Sequence, residues 1–170
     1  MKIRLLAVVL IGAFVVGCKP GMPDDDWVAV TPADHSFAVS MPGKPALTNK
    51  NGAHDYTYVN RPAAAYALSY IDNVPTEGTD PNQIIADSAA RAVAYAGGQV
   101  SRNVKVTVNG FPGIDVDLDA SDGTRVFSRF CLVNHRLYNL RAVFVKTAHK
   151  AGVAERAQRF FNSFKPVSSP

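Results

Sequence analysis

The chain holds little of what catalytic and metal centres are usually built from. Of its 170 residues two are cysteine, Cys18 and Cys131, so no internal disulfide framework is available. The four histidines, His35, His54, His135 and His149, include no pair three or four residues apart, the spacing of a helical metal site. There is no G-x-S-x-G elbow, no phosphate-binding P-loop and no dinucleotide fingerprint. Charged residues make up only 19% and hydrophobic ones 47%, which excludes a wholly disordered chain or a coiled coil. The longest apolar run, Leu5 to Val16, is short of the roughly 20 residues needed to span a bilayer. No internal repeat is present. The expectation from these absences is a binding protein that is not an enzyme and uses no cofactor, metal or nucleic acid.

What is there begins with an address. Lys2 and Arg4 precede the apolar run, as in an export signal, which belongs outside fold reasoning. The run ends in Val15-Val16-Gly17-Cys18, which resembles a bacterial lipobox. The resemblance implies acylation of Cys18, cleavage just before it and anchoring of the protein to a membrane of the cell envelope. Lys19 stands where enteric-type lipoproteins carry Asp for inner-membrane retention, so the resemblance points to the periplasmic face of the outer membrane. Cleavage removes Lys2 and Arg4 and lowers the formal charge from +4 to +2, weakening any case for nucleic acid. The expected organisation is a signal over 1–17, a lipidated cysteine and tether over 18–26, one α+β domain over 27–166, and a tail over 167–170. An extended tether reaches about 25 Å at roughly 3.1 Å per residue.

The body is patterned for strands. Phe37, Val39 and Met41 alternate up to Pro42-Gly43; Tyr56 and Tyr58 sit two apart; Tyr66, Leu68 and Tyr70 share a face. A helix is expected from about Asp80 to Ala96, with Asp80 as N-cap, Pro81 in the first position and Gln83 completing a capping box. Its small or apolar face is Ile84, Ile85, Ser88, Ala89, Ala92 and Ala96, and Gly97-Gly98 stops it. A second helix is expected over about 148–164, with Val153, Ala157, Phe160, Phe161 and Phe164 as its core stripe. Val104, Val106 and Val108 alternate before the glycine-rich stretch 109–113, which reads as a tight turn.

Asp115, Asp117 and Asp119 alternate with Ile114, Val116 and Leu118. A three-residue loop over Ser121-Asp122-Gly123 sets Asp115 opposite Arg129, Asp117 opposite Phe127 and Asp119 opposite Arg125, keeping the apolar face continuous. The acids then read as cross-strand charge partners, not calcium ligands, since the glycine and distant glutamate of an EF-hand are missing. Taking Asn134-His135-Arg136 as the next turn sets Leu132 against Tyr138, Phe130 against Leu140 and Val126 against Phe144. That register places Arg129 and Arg141 together in mid-sheet, opposite the Phe130 face. With Arg125 they are the candidate residues for an anion or acidic partner, unless Asp115 and Asp117 neutralise them. Cys131, in an apolar strand, reads as a buried thiol.

The segments FAVSMPGKP at 37–45, the helix ending in Gly97-Gly98, NGFPGIDVDL at 109–118, RVFSRFCLVNHRLYNLRAVF at 125–144 and FFNSF at 160–164 are similar to the small exported domains of PsbP-like fold, DcrB-type lipoproteins among them. The resemblance spans about residues 28–165. It implies an antiparallel sheet of about six to eight strands flanked by two main helices, and an accessory or binding role with no catalytic residue to carry over. Three functions are thus weighed. They are a lipid-anchored accessory protein engaging another envelope protein, a binder of small molecules or anions through Arg129/Arg141 or Tyr56, Tyr58, Tyr66 and Tyr70, and a hydrolase with dispersed residues.

Overall fold

A computed structural model describes residues 27–50, 52–60, 63–148 and 152–167. The expected signal, Cys18 and the expected tether lie outside them. Ten strands and two α-helices follow in the order β1 (Val28–Val30), β2 (Phe37–Met41), β3 (Ala46–Lys50), β4 (Ala53–Asn60), β5 (Ala64–Ile71), α1 (Pro81–Ala96), β6 (Gln99–Val108), β7 (Phe111–Asp119), β8 (Arg125–Val133), β9 (Arg136–Phe144), α2 (Val153–Ser163) and β10 (Lys165–Pro166). Seven strands form one antiparallel sheet in the order β3-β4-β5-β9-β8-β7-β6. A second small sheet, β1-β2-β10, had no separate signature in the sequence.

Helix α1 covers one face of the large sheet, and α2 with the small sheet covers the other. The α2 side holds the larger core. Phe37, fully buried, meets Tyr56, Tyr70, Tyr138 and Phe164 with ring centroids 5.5 to 6.1 Å apart. Such edge-on and tilted aromatic contacts add to the free energy of burying the rings. The α1 side holds Ile85, Ala89, Ile114, Val116, Leu118, Phe130 and Leu132.

Most local expectations hold. Asp80 caps α1 by accepting from the Asn82 N–H at 2.9 Å, and Gly97 ends it with its N–H on the Val93 carbonyl. The capping box does not form: the Gln83 amide donates forward to Asp87 at 2.7 Å, an i,i+4 bond along the helix surface. The stripe Val153, Ala157, Phe160, Phe161 and Phe164 is buried as expected, but α2 starts later and Phe164 lies just past its end, in extended backbone. Of the expected earlier start, residues 149–151 lie outside the described residues. Within 109–113 only Asn109-Gly110 turn, both at positive φ, and strand β7 already begins at Phe111. Gly113 is needed inside that strand, because a Cβ there would come within 2.8 Å of the Phe130 carbonyl oxygen.

The β7–β8 register is the one the acids demanded: Asp115 pairs with Arg129, Asp117 with Phe127, Asp119 with Arg125 and Ile114 with Phe130. The β8–β9 register is not the expected one. The hairpin turns on two residues, Asn134 and His135, with Asn134 at φ +55°, a conformation an asparagine tolerates better than most side chains. Val133 therefore pairs with Arg136, Leu132 with Leu137, Phe130 with Asn139 and Ser128 with Arg141. A shift of one residue sends a strand's side chains to the other face of the sheet. Arg141 consequently joins Asn139 on the α1 side, while Arg129 stays on the α2 side.

Candidate ligand groove

The three arginines singled out from sequence sit in two different settings. Arg129 is spoken for. It donates from Nε to Asp115 Oδ1 at 2.7 Å and from Nη2 to Oδ2 at 3.0 Å, and its guanidinium carbon lies 5.1 Å from the centre of the Phe161 ring. Asp115 is 1% exposed, so this bidentate pair is shielded from solvent and its partners must satisfy each other. Arg102 adds a bond to Asp115 Oδ2 at 3.3 Å. Arg125 donates to Asp119 at 2.9 Å and lies over Phe127. Burial pushes the Asp117 carboxyl upward and Asp115 adds to this, outweighing the opposing pull of Arg102 3.9 Å away. Its Oδ1 is buried and accepts no hydrogen bond among the described residues. Cys131 is fully buried, and burial raises its thiol to about 12, far from a nucleophile's range.

Arg141 is different. Its side chain is exposed on the α1 face and forms no ion pair among the described residues. It lines one lobe, about 220 Å³, of a groove between α1 and the sheet. The floor of that lobe is Val116, Leu118, Val126, Phe130 and Val143, with Ser128 and Asn139 as neutral polar groups. A second lobe of about 260 Å³ shares Ala92, Phe130 and Asn139 with the first and runs on past Leu137, Ile71 and Ser69 to Arg91. The groove exists because the inward face of α1 is mostly alanine: Ala89, Ala92 and Ala96 bring the helix close to β7 and β8 but leave the space above β9 and β5 unfilled. Two arginines and no carboxylate line the two lobes. Asn139 Oδ1 is buried and unpartnered among the described residues. Apolar walls with a few convergent polar groups are the usual makings of a small-molecule site.

A third cluster forms where the ends of β4, β5 and β9 meet the loop before β2. Arg136 bonds Asp72 through Nε and Asp34 through Nη1 at 3.1 Å, and stacks over Tyr70 at 4.4 Å. Burial lowers the guanidinium's affinity for its proton, but the bonds to Asp72 outweigh this and hold it firmly charged. Burial, aided by the proximity of Tyr56, pushes Tyr70 up to about 12. His54 stacks on Tyr70 at 4.6 Å, with Nε2 4.0 Å from Asp72 Oδ2 and Nδ1 2.9 Å from Asn49 Oδ1. Here the structure does join a histidine to a carboxylate, but both ring nitrogens face protein partners and Asp72 is already tied to Arg136. At 4.0 Å the His54–Asp72 contact is too long for a hydrogen bond, so the carboxylate does not hold the ring as the acid of a catalytic dyad does. Tyr56, Tyr66 and Tyr70 are buried in the aromatic core, and Tyr70 also lines the second lobe, which neither Arg129 nor Arg141 lines.

Comparison with known proteins places the fold. No protein-family model matches the sequence, and no curated protein matches it significantly. Among solved structures, the cyanobacterial PsbP (CyanoP) of Synechocystis sp. PCC 6803 superposes with a TM-score of 0.60 at 11% identity, over 89% of this chain and 99% of that one. A protein of unknown function from Pseudomonas aeruginosa, PA94, gives 0.46 at 13% identity, over 85% and 98%. The chain thus has a PsbP-like α+β fold, as the sequence resemblance implied.

The groove residues Asn139, Ser128 and Arg91 went unnoticed in the sequence. Asn139 lies on a strand whose face depends on the β8–β9 register. The only local sign of that register was Asn134, which suits the left-handed position of a two-residue turn.

Proposed function

We propose that this chain is a non-catalytic binding protein of the cell envelope, held to a membrane by acyl chains on Cys18, whose domain takes a small anionic molecule in the groove under α1. The observation that carries the reading is the pair of neighbouring apolar hollows under α1, lined by Arg141 and Arg91 with no carboxylate. Anchor and tether rest on the lipobox resemblance, as does the outer membrane as the membrane concerned. More than one acyl chain makes such an anchor stable, where a single chain holds only marginally.

A protein partner in the envelope is the second reading, and one observation favours it. Strand β3 is an edge of the large sheet and all five of its residues are exposed, with Leu47 53% exposed. Such an edge is suited to accept an extended segment of another protein.

The test pairs two measurements on the native lipidated protein beside a Cys18→Ala control. Thermal melts across a panel of anionic metabolites are expected to show a concentration-dependent rise, since a ligand that binds only the folded state stabilises it by mass action. Envelope crosslinking is expected to give no stoichiometric partner. A flat panel together with one stoichiometric partner would overturn the ligand reading in favour of the second. Acyl labelling that persists in the Cys18→Ala protein would overturn the anchor.

A further inference from the structure

We propose that the open face of the large sheet is the contact surface of a two-fold symmetric dimer, its occupant a second copy of this chain. The inference goes beyond the ligand reading and does not rest on it. Helix α1 lies over β7 and β8 and leaves the same side of β4 and β5 largely open. A solvated face of an antiparallel sheet ordinarily carries the polar half of the alternation. Of the eight residues that β4 and β5 place there, five are Ala53, Val59, Ala65, Ala67 and Ile71, and Asp55 is the one charge. Val59 is 54% exposed and Ile71 49%. Four strands about 4.8 Å apart and up to eight residues long, at about 3.3 Å per residue, give a face of roughly 500 Å². Two copies together bury roughly 1,000 Å², the lower limit of a specific interface.

Charge chooses the occupant. Asp55 on β4 and Arg141 on β9 share this face, and neither forms an ion pair among the described residues. Asp55 lies in the row of Ser69 and Arg141 in the row of Ala67, so β5 runs between them and their backbones stand roughly 12 Å apart. A two-fold axis in the plane of contact, crossing β5 between Ala67 and Ser69, brings each Arg141 to Asp55 of the other copy. One rotation thus makes two ion pairs, and the small residues under the axis let the sheets approach to about 10 Å. Lys50, at the outer corner on β3, is left to solvent. Arg141 cannot meet a bound anion and this carboxylate together, so the dimer is the ligand-free form. A crosslinked second copy is likewise not the foreign partner of the second reading.

The experiment co-expresses two differently tagged copies of the full chain, extracts them from membranes in mild detergent without added ligand, and captures one tag. Wild type is expected to bring down its second copy. Asp55→Arg paired with itself sets arginine against Arg141, and Arg141→Asp paired with itself sets aspartate against Asp55. Each is expected to lose co-capture about tenfold or more, since like charges across an interface are costly. Asp55→Arg mixed with Arg141→Asp restores both ion pairs, and capture should return to the wild-type level. The doubly swapped chain, carrying both changes, should pair with itself and not with wild type. Neither residue is buried, so melting temperatures should stay unchanged. Wild-type copies that do not co-capture would overturn the dimer. Single variants that capture like wild type would overturn this face as its surface, and so would a mixed pair and a doubly swapped chain that both stay apart. Each of these results leaves the ligand reading standing, because the melts with anions test it separately.

Discussion

Asp117 stands opposite Phe127 on β7 with its Oδ1 buried and unmatched among the described residues, and it is the least comfortable acid of the three. Burial raises its carboxyl above 3.8, so the folded state holds the proton more tightly than the unfolded one. For a carboxyl so shifted, stability falls as pH rises from the unfolded value through the folded one. The ionised form therefore weakens the fold at pH 7. Asp117→Asn should raise stability there, with the gain fading as pH falls below 3.8, where both states are already protonated. Thermal melts from pH 3 to pH 7 check this, and a lower melting point for the variant at pH 7 would contradict it. Asp115, one turn of the pleat away, is the opposite case, since Arg129 and Arg102 meet both its oxygens. Alternation alone made the Asp115–Arg129 pairing legible, because a charge in a strand pattern needs a partner across the ladder and only one register supplied it.

At the scale of elements, the β8–β9 hairpin decides most. Two turn lengths fit the composition of residues 134–136, and they differ in which face receives Arg141. The backbone settles on two residues with Asn134 at φ +55°. Asn134→Gly should fold with unchanged stability. Asn134→Ala should cost about 1 kcal/mol, since an alanine pays the left-handed penalty without asparagine's local hydrogen bonding. Urea unfolding of both variants checks the pair, and equal stability would mean the turn is not strained in this way. Helix α1 teaches a related lesson. Its small inward face was readable from spacing, but a row of alanines says only that something comes close. The row fits a tightly packed helix as well as one that roofs a groove, and the strands beneath decide which.

For the whole molecule, the joining piece is Phe37. It comes from the small sheet and touches rings from β4, β5 and β9 and the residue that ends α2. Phe37→Ala should cost about 3–5 kcal/mol, against almost nothing for the exposed Leu47→Ala, as measured by chemical unfolding. A small cost at Phe37 would mean that the layers cohere without it. The first described residue, Trp27, rests edge-on to Tyr66 and under Arg159, on the α2 side. The chain thus enters the domain on one face of the sheet while the groove opens on the other. Periodicity, turn residues and cross-strand charge made most strands of the large sheet, both helices, the Asp–Arg ladder and the α+β class legible, because each depends on neighbours in the chain or one hairpin away. The groove, the Arg136 cluster and the small sheet were left to the tertiary structure. Asp34, Asp72 and Arg136 are separated by up to 102 residues, and Arg141's face turned on a single residue of register, which the apolar pattern of two doubly covered strands does not distinguish.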